Sequence, residues 1–328
     1  MSDGITESGK SICFSFGDPE PVINRISDYL GTFLNDAGLW FEPPVAFNGL
    51  SKMTRANAHH GTCIIFRRNM LVNELLPSKG ISRADFRAVC TDYLTFGNGF
   101  LQVSRNAFGQ PVRLQHLAAI NMRRGRGDRF FMMAPNFQNV EFKPGEVLHL
   151  KEYDTQQGVY GVPDWLGGLQ SVLLNEDATL FRRKYFKNGA HLGYILYTND
   201  AQIGPETEQA IKSSLSQGKG AGNFRSMYLH IPNGKEKSVQ LIPIGDIGQK
   251  DEFEKIKSIS ADDVIVAHRV PPALVAIKPG AASSLGDPEK IEGVYRRTEL
   301  EAMKNPWLEL NESLPPNLQI QFKEVKTA

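Results

Sequence analysis

His59, His60 and Cys63 stand close enough together to begin a metal site. Structural zinc takes two pairs of such ligands, and the chain offers no second pair at a useful spacing, so helix packing is the expected role. His268 beside Arg269 could move protons, but it sits just ahead of Pro271-Pro272. That place marks a helix end, where an imidazole serves as a cap or an interface group. No GxSxG occurs, and no serine or cysteine has a recognisable histidine partner, so nucleophilic catalysis is unsupported. Gly218-Lys219-Gly220-Ala221-Gly222-Asn223 has the composition of a phosphate cradle. A Walker loop needs GK followed by Ser or Thr and then a helix, whereas this segment leads into the strand-like SMYLHI, so it reads as a turn at a tip. Arg123, Arg124, Arg126 and Arg129 form a dense basic cluster that includes the tripeptide Arg126-Gly127-Asp128. A solvated turn or intersubunit ion pairs fit it better than a nucleic-acid patch. The expectation is no enzyme, no cofactor and no metal.

The elements that carry these residues are helices and short strands in alternation. Residues 1 to 20 are polar and read as a loose arm, followed by a short helix over Ile23–Leu34 that Trp40–Pro44 ends. Residues 51–76 read as one helix, and Ser82–Phe96 as another, with Ser82 and Asp85 as a capping pair and Gly97-Asn98-Gly99 as the stop. From Phe100 the period changes to two, giving a hairpin around Asn106–Gly109 and short strands over residues 120–150. Trp165–Asn188 predicts a helix roughly 36 Å long, with Pro163 at its start and Gly189 as its cap. Leu174, Ala178, Phe181 and Tyr185 form its apolar stripe. A small αβ insert follows, then a second long helix over Asp246–Val270, with Phe253, Ile256, Ile259 and Val266 on one side and Pro271-Pro272 as its stop. Residues 278–286 are small and flexible in composition. Asp287-Pro288 restarts a helix that Pro306 should kink or divide, and Leu318–Val325 reads as a closing strand.

The chain has 328 residues, 41% hydrophobic and 22% charged, which suits a folded α+β protein with more than one structural unit. A formal net charge of +1 offers no bulk attraction to nucleic acid or anionic membrane. Three cysteines at irregular spacing point to a reducing compartment. No run approaches the ~18 apolar residues of a membrane span.

Several segments carry a family resemblance: FSFGDPEP at 14–21, YLTFGNGFL at 93–101, LNEDATLFRRKYFKNGAHLGYILY at 174–197, KDEFEKIKSISADDVIVAHRVPP at 250–272 and GDPEKIEGVYRRTEL at 286–300. In this order they resemble the portal proteins of contractile-tailed temperate phages, the PBSX-type group. The resemblance covers almost the whole chain, and FRRKYFKNGAHLGYI with AHRVPP is its most specific part. It implies a portal fold: a flexible arm at 1–20 and a mixed α/β wing at 21–160 and 287–328. Stem helices at 161–190 and 246–270 bracket a clip at 191–245, and a tunnel loop spans 271–286. The implied assembly is a homododecameric ring at one capsid vertex of the virion, a conduit for DNA packaging and ejection that is put together in the host cytoplasm. The implied partners are further copies of the chain, the terminase large subunit, major capsid and scaffold proteins, a neck or head-completion protein, and transiently bound double-stranded DNA, with no membrane. Lys278, Ser283 and Ser284 would face the DNA, and Lys219, Asn223, Arg225 and Lys235 would face the terminase. Leu174, Phe181, Tyr185, Phe253 and Ile256 would pack the stem. A packaging-motor subunit is the competing enzyme reading, opposed by the missing Walker motif, and a monomeric DNA-binding adaptor is opposed by the neutral charge.

Overall fold

The structure, a computed structural model, describes residues 32–134, 139–187, 194–198, 239–243, 249–275 and 286–323. It divides into two compact units, Met1–Gln170 with Asp263–Ala328, and Ser171–Asp262.

In the first unit, α1 (Phe47–Ala56) and α2 (Ala58–Glu74) replace the single helix expected over 51–76. Asn57 divides them: its backbone is extended, and its side chain accepts hydrogen bonds from the amides of His59 at 2.9 Å and His60 at 3.1 Å. Asparagine competes with the helical backbone in this way and is favoured at N-caps over helix interiors. α3 (Arg83–Phe96) begins as expected, with Ser82 Oγ accepting from the Asp85 amide at 3.0 Å. It ends at Gly97, which is left-handed at φ 67°.

β2 (Asn98–Arg105) and β3 (Pro111–Leu117) form the expected hairpin, and β7 (Val147–Lys151) pairs with the other edge of β2. A second antiparallel sheet has the order β1 (Trp40–Phe41), β4 (Met122–Gly125), β5 (Phe130–Met132) and β6 (Val140–Glu141). Ile64 and Leu71 of α2, Phe86, Val89 and Cys90 of α3, and Leu101, Leu114 and Leu150 of the three-stranded sheet share one core.

Trp307 closes that core from the C-terminal helix, with ring centroids 4.9 Å from Phe86 and 6.0 Å from Tyr93. Asp287 caps this helix and Pro288 opens it, as the sequence predicts. It runs as α7 (Pro288–Tyr295), a π-turn at Arg296–Leu300 and α8 (Glu301–Leu310). Pro306 does not divide it. The expected closing strand is reduced to one bridge between Phe322 and Leu75, and Val325 lies outside the described residues. Leu34, expected at a helix end, instead bridges to Phe41.

The long helix α4 (Leu169–Lys187) starts later than expected, because Leu166–Gly168 is a 3₁₀ turn, so its α-helical part is about 28 Å long. The second, α5 (Gln249–Ala267), ends before the proline pair. Pro272 then opens a one-turn helix, α6 (Pro272–Val275), where a loop is expected over 271–286. Gly189, the predicted cap of α4, lies outside the described residues.

The second unit joins most of α4 and α5 to an antiparallel pair, β8 (Tyr194–Thr198) and β9 (Val239–Pro243). Asn175 Nδ2 donates to the Lys257 carbonyl and to Ser260 Oγ, both at 2.9 Å. This contact sets which face of α4 is covered within the chain: Val172, Asn175 and Ala178 are buried, whereas Leu174 is 49% exposed. Of the expected stripe, Ala178 therefore lies on the covered face and Leu174 does not, the two faces being roughly 100° apart around the helix. Phe181 is half-buried. Along α5, Ser260, Ala261, Val264 and Ile265 are buried, while Ile256, Ile259 and Val266 are 36%, 62% and 70% exposed. The side chains of Tyr185 and Phe253 lie outside what the structure describes.

Candidate functional site

The first unit's most concentrated buried polar chemistry lies where α4 begins and α5 ends. These ends are adjacent: a Cβ on Gly168 would come within 2.5 Å of the Ala267 Cβ. The approach to α4 is fixed by Asn98, whose side chain accepts from the Gly161 amide at 2.8 Å and donates to the carbonyls of Gly161 at 2.8 Å and Phe96 at 2.7 Å. Trp165 Nε1 donates to the Leu94 carbonyl at 2.8 Å. With the chain pinned on both sides, Asp164 has little freedom.

Its carboxylate takes both arms of the Arg67 guanidinium, at 2.7 Å and 3.0 Å. The Arg67 side chain is 3% exposed. Burial alone would raise the Asp164 carboxyl, but the Arg67 hydrogen bonds and the charges of Arg67 and Arg269 outweigh it and hold the group below its ordinary range. Arg269 reaches the same carboxylate, and its Nε lies 3.4 Å from Glu299 Oε2.

His60, two turns before Arg67 on α2, meets His268 with Nδ1 and Nε2 2.9 Å apart. Trp165 packs on both rings, at centroid distances of 4.2 Å and 5.9 Å. A neutral pair shares one proton between the facing nitrogens, and the outward ones, His60 Nε2 and His268 Nδ1, are buried without hydrogen-bond partners. Burial pushes the His60 imidazole down to about 4. Burial, then the charges of His60 and Arg67, pushes His268 down further against the opposing Asp164. Cys63, one turn after His60, is pushed up to about 11 by burial and stays a thiol. The cluster thus holds neutral imidazoles and paired ions, an arrangement suited to fixing helix ends.

Stability should follow these shifts with pH. Each histidine is harder to protonate folded than unfolded, so its stabilising effect is present above the ordinary histidine pKa and lost as pH falls below about 6.5. Asp164 adds to the loss at lower pH: its carboxyl is held below the ordinary range, so the unfolded chain takes up that proton first as pH falls. Thermal midpoints measured between about pH 7.5 and pH 4.5 should fall with acid, and the slope should flatten in His268→Gln.

The structure places the sequence-derived candidates unevenly. His60 and His268 come together, across more than half the chain. Among the described residues there is no group of three or more metal-binding side chains. Three arginines of the cluster are paired within the chain, Arg123 with Glu42 at 3.3 Å, Arg124 with Asp128 at 3.4 Å and Arg129 with Glu141 at 2.7 Å, where a solvated turn or intersubunit ion pairs were expected. Lys219, Asn223, Arg225, Lys235, Lys278, Ser283 and Ser284 lie outside the described residues. Arg67 and Asp164 are absent from the sequence-derived candidates. Arg67 was nevertheless visible as a charge on an apolar face, three residues after Ile64 and four before Leu71.

Residues 69–323 match the family model for phage portal proteins. The chain is also 40% identical over 323 residues to the "Probable portal protein" of Escherichia phage P2, covering 97% of this chain and 93% of that one. The chain belongs to the phage portal protein family. Another relative, the "Probable portal protein" of Haemophilus phage HP1, is 40% identical over 292 residues, 87% of this chain and 85% of its own. Among solved structures, a chain in the neck of a native gene transfer agent particle computed with C12 symmetry is similar at TM-score 0.61 and 18% identity. That match covers 87% of this chain and 85% of the other, and it shows the fold. The α+β portal architecture expected from the sequence is therefore present, and the buried cluster is a feature of a portal chain: it ties together the ends of the two long helices. Among the described residues no helix is long and apolar enough to cross a membrane.

Proposed function

We propose that this chain is the head–tail connector of a phage: a ring of twelve copies at one capsid vertex, through which double-stranded DNA enters during packaging and leaves at ejection. The observation that carries this reading is the uncovered apolar surface of the long helices. Ile259 and Val266 of α5 and Leu174 of α4 are mostly or half exposed in the single chain, although each belongs to a helix whose other face is buried. Large exposed apolar side chains in a row on a helix mark a contact with another chain, and repeated head-to-tail contacts form a ring when the rotation between copies closes. The near-zero net charge suits a conduit, which must let phosphates slide past without holding them.

On this reading residues 161–190 and 246–270 are the stem, 191–245 the clip that meets the terminase large subunit and later a neck protein, and 271–286 the tunnel segment. Residues 21–160 and 287–328 form the wing toward the capsid and scaffold proteins. Lys278, Ser283 and Ser284 then make brief contacts with the DNA backbone, and Lys219, Asn223, Arg225 and Lys235 lie on the motor side. The test is a phage whose copy of this chain is interrupted by a suppressible stop codon. Shells without DNA in the non-suppressing host, and filled heads on suppression, support the conduit. Filled heads without the chain contradict it.

A further inference from the structure

Arg269 has a positive φ, 54°, and is the non-glycine residue to do so among the described residues. It occupies the position just past the end of α5. Its amide donates to the Val266 carbonyl at 2.8 Å, and the Val270 amide reaches back to the Ile265 carbonyl at 3.3 Å. Val270 and Ile265 are both buried beneath this turn. The pair of bonds is the helix-terminating motif in which glycine is the usual residue, because a Cβ is disfavoured in the left-handed region. The chain carries arginine there instead.

The side chain supplies the reason. Its guanidinium meets the Asp164 carboxylate ahead of α4 on one side and Glu299 on the other. Glu299 itself lies in the π-turn at Arg296–Leu300, and such turns commonly interrupt helices where a function requires it. Two departures from regular backbone, far apart in sequence, are thus joined by one ion pair. The Arg269 side chain is 55% exposed, so the contacts add little to global stability for the backbone strain they accompany.

We infer that Arg269 is a positioning residue: a clasp, held in a left-handed backbone so that it joins Asp164 to Glu299, that fixes the direction in which the chain leaves α5. The one-turn helix α6 follows at once, and the segment beyond it is the one assigned to the DNA path. The clasp goes beyond the conduit reading, and its test does not depend on it.

A glycine at 269 suits the backbone and removes the clasp, which separates order from stability. In the full-length chain, Arg269→Gly should leave the thermal midpoint within about 2 °C of the parent. Hydrogen exchange of the Val270 and Leu274 amides, which are bonded to the Ile265 and Pro271 carbonyls, should rise at least tenfold, on the order of a 1.4 kcal/mol change in local opening. Glu299→Gln, which leaves Arg269 and its neighbours in sequence unchanged and removes only the charge that the guanidinium meets, should raise the same amides' exchange in the same direction. Arg269→Lys should recover part of the protection through its single charge. Unchanged exchange at Val270 and Leu274 in both Arg269→Gly and Glu299→Gln would overturn the inference. So would a thermal midpoint lowered equally by Arg269→Gly and Arg269→Ala, since the contacts would then serve global stability alone.

Discussion

An Asp164→Ala chain should lose about 3–5 kcal/mol of stability, the cost of leaving a buried ion without its partner. The guanidinium of Arg67 is 3% exposed and gives Asp164 two hydrogen bonds. The reverse change, Arg67→Ala, should cost less through charge, because Asp164 is 17% exposed and keeps Arg269 as a partner. Removing both charges together makes the sharper comparison. Arg67→Met with Asp164→Leu leaves no buried ion, so the double variant should be markedly more stable than Asp164→Ala. Urea denaturation of the three variants measures this. A loss below about 1 kcal/mol for Asp164→Ala would show that the pair is no more than a surface contact.

The other large effect falls on assembly. Ile259 and Val266 lie seven residues apart on α5, on one face by helical geometry, and are 62% and 70% exposed. If a neighbouring copy covers them, each side chain contributes up to about 1.5–3 kcal/mol per contact, repeated at every interface of the ring. Ile259→Asp with Val266→Asp also places charge in an apolar contact, so rings should be absent from the variant. The separated chain should stay folded, since exposed substitutions usually change stability by about 0.5 kcal/mol or less. Size-exclusion chromatography with light scattering, read beside far-ultraviolet circular dichroism, distinguishes lost assembly from lost folding. Rings in the variant would move the subunit contact to another surface.

Much of the fold was legible because local chemistry decides it. Ser82 with Asp85, Gly97, and Asp287 with Pro288 mark helix ends by satisfying or removing orphan backbone groups, and the structure ends its helices there. The hairpin at Asn106–Gly109 follows from the change of period. Where two local signals competed, the sequence misled. Asn57 divides a pattern that reads as one helix, because its side chain offers the backbone a better partner than the next turn does. The end of α5 was credited to Pro271-Pro272, yet a turn centred on Arg269 ends it first. The apolar stripe on α4 was read as a single face, but Asn175 turns a different face toward α5 and leaves Leu174 outside. The buried cluster could not be read at all as a unit. Arg67 and Asp164 are 97 residues apart and His60 and His268 are 208 apart, and no period links them. Only the charge set into the apolar face of α2 hinted at a buried partner.

On the proposed function, copies of this chain close into a ring through the long helices. Native mass spectrometry of the purified full-length chain, with electron micrographs of the particles seen along their axis, tests it directly. The expected result is a single closed species of twelve copies around a central hole about as wide as duplex DNA. A chain that remains monomeric or dimeric, even when the capsid and scaffold proteins are added, would contradict it.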